Sequence, residues 1–288
     1  MSATAHARPP CPEPNLYPGV PRETYHAWDA ANYSVVKLFE KSAAHAREAL
    51  LHPRAPTEAM TRGGAVHAAV LEPDRFAREY VEAPVLDRRR KADKLAWEAF
   101  EAEHAGQVPL DPEDWAACQA VKAAAWGHET PRRLLSTPGY TELSVVAKDR
   151  RFGIPLKARP DRFLDFLGIP TILDVKTTRD ASPQGFRTEI ARYSYHVQAA
   201  FYLRVLDALS LHGGRAFLFL ACETVPPYAC ATYQLDEDSL KQGESEVELY
   251  LERYSEAIET GVWPGYPGGI LTARIPRWRF TAEVFDGV

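Results

Sequence analysis

Apolar and polar residues alternate from Leu156 to Thr178, in the stretch LKARPDRFLDFLGIPTILDVKTT. The segment is rich in Phe, Leu, Ile and Val and is punctuated by Gly168 and Pro170, so it predicts two strands folding back on each other. With the turn centred between Leu167 and Gly168, Asp161 and Asp174 become cross-strand neighbours. Their Cβ atoms would lie roughly 5 Å apart, where like charges destabilise a sheet. Lys176, two residues past Asp174, points to the same face. Positions that should carry apolar side chains therefore hold two facing carboxylates and a lysine. That makes a poor core and a set of groups suited to a metal ion.

The rest of the chain separates into helical and extended stretches. Asn32–Leu50 has helical spacing (Val35, Val36, Leu38, Phe39), with Ser34 as its N-cap. A helix is expected over Glu58–Leu71, stopped by Pro73. Gly63 and Gly64 are costly inside it, which predicts a close approach there. Residues 91–136 read as two or three helices broken at Pro109–Pro112 and Pro131. Strands follow at Glu142–Lys148 and Phe152–Ala158, then the hairpin, then helices at Ser182–Arg192 and Tyr195–Leu211. Arg215–Cys222 and Tyr228–Leu235 read as strands, Asp236–Thr260 as a helix, and the tail from Val262 as irregular. This order predicts one mixed α/β domain over residues 23–288 after a Pro-rich arm at 1–22. Within it, 23–136 is mainly helical, 137–262 the α/β core and 263–288 the tail.

Composition narrows the setting. Apolar residues make up 45% of the 288 and charged residues 25%, ordinary for a soluble globular protein. No apolar run approaches the ~20 residues of a membrane helix. The N-terminus lacks the apolar stretch of a secretory signal. Cys11, Cys118, Cys222 and Cys230 form no C-x-x-C pair, which argues against zinc or iron–sulfur sites and for a reducing, cytoplasmic home. The net charge of -5 argues against a generally basic nucleic-acid surface but leaves room for a local basic groove. Arg88, Arg89, Arg90 and Lys91 could supply one, as could Lys148, Arg150, Arg151, Lys157 and Arg159. Solvated surface charge is the competing reading of both groups.

The hairpin carries the candidate chemistry. Phosphodiester hydrolysis needs its transition-state charge neutralised and a nucleophile generated near neutral pH. Divalent cations held by carboxylates serve both needs. Asp161 and Asp174 would provide two oxygen ligands and the Val175 carbonyl a third, while Lys176 would orient a water and stabilise developing charge. A simple Asp174–Lys176 salt bridge is the alternative. Gln198 and Tyr202, four residues apart, share one helical face. Taken alone, Glu142 reads as an edge charge and His67 as a helix histidine.

Together the segments G-G-A-V-H (63–67), E-L-S (142–144), R-P-D (159–161), D-V-K-T-T (174–178) and H-V-Q-A-A-F-Y (196–202) resemble the PD-(D/E)XK nucleases. Within that superfamily they look most like the RecE-type (exodeoxyribonuclease VIII-like) exonucleases of phage and prophage. The resemblance spans roughly Tyr25 to Cys222. It implies a restriction-endonuclease-like α/β core with a central mixed sheet flanked by helices. It also implies magnesium (with manganese as substitute) and 5′→3′ digestion of linear duplex DNA to leave 3′ single-stranded tails. A ring-shaped homo-oligomer and a single-strand annealing partner belong to the same implication.

Position by position, the resemblance makes Asp161 and Asp174 metal ligands, assisted by the Val175 carbonyl, and Lys176 the group that activates water. It makes His67 a further ligand or phosphate contact. Gln198 braces the lysine, Tyr202 supports the same wall, and Glu142 matches an acidic position of the family. DNA contacts are expected from Lys157, Arg159, Arg88, Arg89 and Arg90. The rivals are an endonuclease or Cas4-like member of the superfamily, the latter weakened by the missing four-cysteine cluster, and a catalytically silent end-binding protein.

Overall fold

The alternation along residues 169–178 builds the strand around which the site is arranged. The structure, a computed structural model, describes residues 9–52, 58–87, 89–209 and 215–275. The N-terminal half contains β1 (Asn15–Tyr17), α1 (Arg22–Ala27), α2 (Tyr33–Val36), a 3-10 turn (Lys37–Glu40), α3 (Ala43–Leu51), α4 (Glu58–Leu71), α5 (Pro73–Glu79), β2 (Tyr80–Glu82), α6 (Lys91–Glu103), β3 (Val108–Leu110), α7 (Pro112–Gly127) and α8 (Glu129–Ser136). The C-terminal half contains β4 (Gly139–Thr141), β5 (Ser144–Lys148), β6 (Pro155–Ala158), β7 (Arg162–Phe166), β8 (Ile169–Thr178), α9 (Pro183–Tyr193), α10 (Tyr195–Ala208), β9 (Ala216–Glu223), β10 (Cys230–Gln234) and α11 (Glu237–Thr260).

The central sheet has the order β10-β9-β8-β7-β4. β8 and β9 run parallel and the other pairings are antiparallel, so the sheet is mixed. α9 and α10 form the crossover that parallel pairing requires. On one face Leu173 and Val175 pack with Val66, Val121 and Leu134 from α4, α7 and α8. On the other, Ile172 packs with Phe201 and Leu251 from α10 and α11. β8 is thus covered on both sides, and Asp174, only 2% exposed, is buried on the α10 face. A second sheet, β1-β5-β6, adds Val145, Ala147, Leu156 and Ala158 to the same core as α10. No helix among the described residues is long and apolar enough to cross a membrane.

The hairpin turn falls at Leu167 and Gly168, both with positive φ (57° and 82°), and pairs Phe166 with Ile169 through to Arg162 with Leu173. β7 stops there, so Asp161 lies one residue short of the ladder rather than inside it. The expected helix over Asn32–Leu50 is three pieces. Asn32, not Ser34, caps α2, its Oδ1 accepting from Val35 N at 3.0 Å, and Ser42 starts α3 by accepting from His45 N. Each side chain takes an N–H that a continuing helix would have used. The Pro-rich arm contributes β1, which pairs with β5. Pro131 sits in the first turn of α8 instead of breaking a helix, since early helical N–H groups have no partner to lose. Gly63 and Gly64 are not sites of close approach. An added Cβ would meet only Thr177 Oγ1 at 4.0 Å and Tyr80 Oη at 3.8 Å.

Candidate active site

Where β7 ends, the edge of β8 is left without a strand partner. The gap opens into a cleft of about 650 Å³, walled by α1, α4, α5, Glu142, Arg159 and Tyr202. Asp161 turns its side chain across this gap. Its Oδ2 accepts from Val175 N at 2.8 Å and lies 3.3 Å from His67 Nδ1 on α4. A carboxylate thus replaces the missing strand partner. A strand residue directs its N–H and C=O to the same side, so the Val175 carbonyl leaves by this edge too.

Asp174 and Lys176 project from the opposite face to Val175, toward α10. Gln198 bridges them: its Nε2 donates to Asp174 Oδ1 at 2.9 Å and its Oε1 accepts from Lys176 Nζ at 2.8 Å. Lys176 Nζ also lies 2.5 Å from Asp174 Oδ2. This buried oxygen is thus held against the lysine's charge, while Oδ1 takes the Gln198 amide. Lys176 Nζ further sits 4.5 Å from the centroid of the Tyr195 ring. Tyr202 Oη donates to the Arg159 carbonyl at 3.4 Å. Sequence reasoning missed Tyr195, although Tyr195, Gln198 and Tyr202 recur at i, i+3 and i+7 on one helical face.

Glu142 departs from the expected strand position. It links β4 to β5 in the left-handed region, at φ 52°, an uncommon conformation for a residue with a side chain. From there its N–H donates to the Asp161 carbonyl at 2.9 Å and its Oε2 accepts from Arg159 Nε at 2.6 Å. The link therefore positions the backbone of Asp161 while its side chain holds the cleft wall.

Burial pushes the Asp174 carboxyl up to about 6, with Asp161 adding to the rise against the attraction of Lys176. Burial would raise Asp161 as well, but His67, Lys176 and the Val175 N–H together hold it below the usual carboxylate range. His67 is the reciprocal case: burial opposes its charge, yet the charge and hydrogen bond of Asp161 raise its pKa. The cleft lining carries five carboxylates (Glu23, Glu72, Glu79, Glu142, Asp161) against three guanidiniums (Arg22, Arg75, Arg159). His67 adds a further cationic partner, and a bound cation would offset the remaining negative charge that a phosphodiester meets there.

The expected basic contacts are distributed differently. Lys157 is fully buried, and its Nζ donates to the carbonyls of Tyr25 (2.8 Å), His26 (3.2 Å) and Trp28 (2.6 Å). It therefore ties down the C-terminal end of α1 and cannot reach a phosphate. Arg159 lines the cleft, but besides Glu142 it donates to the Val20 carbonyl at 2.9 Å and Ser144 Oγ at 2.8 Å. Arg89 and Arg90 are on the surface ahead of α6, 3.6 and 3.7 Å from Asp87, and are not among the cleft-lining residues. Arg88 lies outside the described residues.

Among the described residues, no three His, Cys, Asp or Glu side chains form a cage able to hold a metal ion by themselves. The donors present still fit a hard cation: the Asp174 and Asp161 carboxylates and a backbone carbonyl at an open strand edge. Magnesium keeps several waters and is held by one or two carboxylates, so a full protein cage is not needed.

The family described as "PDDEXK-like domain of unknown function (DUF3799)" matches residues 32–275, most of the chain. The chain belongs to this family. Within the matched residues the sequence carries a Pro-Asp pair at 160–161 and an Asp-x-Lys at 174–176. A crystal structure described as a "putative exonuclease" from Eubacterium rectale superposes at a TM-score of 0.56, covering 90% of this chain and 94% of that one. At 13% identity the likeness shows that this PDDEXK-like chain shares its fold. The protein SSO0001 aligns over 67% of this chain and 88% of its own at 14% identity, but a TM-score of 0.26 carries no structural argument. No curated protein matches the sequence.

Proposed function

We propose that this PDDEXK-like chain is a divalent-metal-dependent DNA nuclease, and specifically an exonuclease of the RecE type. In this reading it digests linear duplex DNA 5′→3′ and leaves 3′ single-stranded tails for recombination. The observation that carries the nuclease reading is the convergence at the end of β7. Two carboxylates, an open backbone edge and a lysine fixed by Gln198 meet beside a cleft that is itself acidic. The nuclease class is supported by the PDDEXK-like family, and the exonuclease reading by the description of the E. rectale structure.

Asp161 and Asp174 would hold the cation with the Val175 carbonyl, magnesium by preference and manganese in its place. When bound, the cation supplies charge neutralisation at the phosphate and lowers the pKa of the attacking water. Lys176 stabilises developing negative charge and orients that water, and Gln198 fixes the lysine in place. His67 holds Asp161 from the α4 side. Glu142 and Tyr202 shape the wall through Arg159. Arg89 and Arg90, outside the cleft, would follow the duplex backbone, and Arg88 is assigned the same contact from the sequence alone. A ring of subunits and a single-strand annealing partner complete the proposal, in a cytoplasmic setting.

Incubation of 5′- and 3′-end-labelled linear duplex with magnesium, beside a covalently closed circle, tests the reading. Early release of 5′ label with the circle intact is the expected result. Cleavage of the circle would make the protein an endonuclease. Binding of ends without hydrolysis under any divalent cation would make it a silent end-binding protein.

A further inference from the structure

Tyr195, Ser194 and Tyr33 have no part in the reading above, yet they are built around Lys176. α9 and α10 meet at a single residue, Ser194, which is in the left-handed region at φ 57°, ψ 41°. Non-glycine residues held there mark a constraint imposed by surrounding structure. Tyr33 supplies part of it, its Oη lying 3.0 Å from the Tyr193 carbonyl and 2.9 Å from that of Ser194. The next residue, Tyr195, places its ring 4.5 Å from Lys176 Nζ. That ring is backed by Tyr193 at 5.6 Å and Phe219 at 5.8 Å, centroid to centroid. Phe219 is the register partner of Asp174 on β9, so the platform is fixed to the strand that carries the lysine.

We infer that Tyr195 is a positioning residue for Lys176: its ring face forms the third wall of the ammonium's seat, beside Asp174 and Gln198. The inference rests on the reading of Lys176 as the charge-stabilising group. An ammonium has three N–H donors and no acceptor. Gln198 takes one, and Asp174 attracts the charge from a second direction. A third carboxylate here would compete for the cation and draw the lysine from the phosphate. An aromatic face attracts the ammonium through its quadrupole, adds no formal charge and leaves an N–H for the scissile phosphate.

The test replaces Tyr195 with Phe and then with tri- and pentafluorophenylalanine, which keep the ring's shape while draining its negative face. Tyr195→Phe should retain most of kcat. Fluorination should then lower kcat stepwise, about tenfold by the pentafluoro ring, at unchanged KM, because a cation–π contact between the exposed and fully desolvated cases is worth roughly one decade in rate. A purely structural role would not follow the fluorine count. In metal-free protein carrying 13C-labelled lysine, the Lys176 ε-CH2 signal, identified by its loss in Lys176→Arg, should be ring-shifted upfield. The shift should persist in Tyr195→Phe and vanish in Tyr195→Leu. A kcat flat across the fluorinated series, or a Lys176 signal unmoved in Tyr195→Leu, would overturn the inference. A wild-type protein that cleaves no DNA but shows the lysine shifts would overturn the nuclease reading and leave the seat standing.

Discussion

Gln198, buried on α10 between the half-buried Tyr195 and Tyr202, donates from Nε2 to Asp174 Oδ1 at 2.9 Å. The same amide accepts from Lys176, so one side chain fixes the relative position of a carboxylate and an ammonium. Gln198→Ala leaves both with one partner fewer. The expected outcome is a loss of kcat on the order of 10²-fold, the scale reached when reacting groups are displaced by about 1 Å. Stability should fall by about 1–3 kcal/mol from the unmet buried groups. Single-turnover cleavage and urea melts measure the two effects separately.

Lys176→Ala should lose on the order of 10²-fold or more in rate, as when a preorganised charge-stabilising donor is removed. Duplex-end affinity should stay within a few-fold, because the lysine acts on the transition state. Full activity in a variant shown to be folded would remove Lys176 from the mechanism.

The raised pKa of Asp174, about 6, has two consequences. Protons compete with the metal, so apparent magnesium affinity should be level above pH 7. It should weaken about tenfold per unit well below pH 6, which isothermal titration calorimetry can follow. The second consequence concerns the metal-free fold. A carboxyl whose folded pKa lies above its unfolded value contributes most stability below about 3.8 and loses it as pH rises through about 6. At pH 7.5, Asp174→Asn without metal should therefore melt no lower than wild type, with Gln198 still donating to the amide oxygen. Magnesium at 100 times its Kd should stabilise wild type by about 2.7 kcal/mol and leave the variant's melting temperature unmoved.

Lys157→Met should cost about 1–3 kcal/mol, since it strips donors from three carbonyls at the end of α1. Its effect on the slope of log DNA affinity against log salt should be nil. A shallower slope would place the ammonium on a phosphate and contradict its burial.

Arg89 and Arg90 pair with Asp87 at the surface, with side chains 96% and 77% exposed, and such pairs contribute little. They are free to exchange Asp87 for DNA. Neutralising both should weaken binding to all sequences alike and reduce the salt slope by about two counterions' worth. Fluorescence anisotropy across a salt series reads this directly.

Much of this fold was legible in the sequence because it is set by short-range periodicity. The period of two in Leu156–Thr178, with Leu167 and Gly168 at the turn, determined the pairing register from Arg162–Leu173 to Phe166–Ile169. The helical period determined α4 over the expected residues. Both patterns express which face of an element must leave water. What periodicity cannot express is the identity of the neighbour waiting on that face. Lys157 alternates as a surface cation would, and only the packing of α1 over β6 gives its ammonium three carbonyls and no solvent. Glu142 reads as a strand residue, and only the switch from β4 to β5 puts it in a left-handed link that braces Asp161. His67 and Asp161, or Lys176 and Tyr195, meet because elements remote in sequence pack around the place where β7 stops. A charge pattern names the groups available for chemistry. Which of them are desolvated, paired and turned toward one another is a property of long-range packing, so only the tertiary structure decided it.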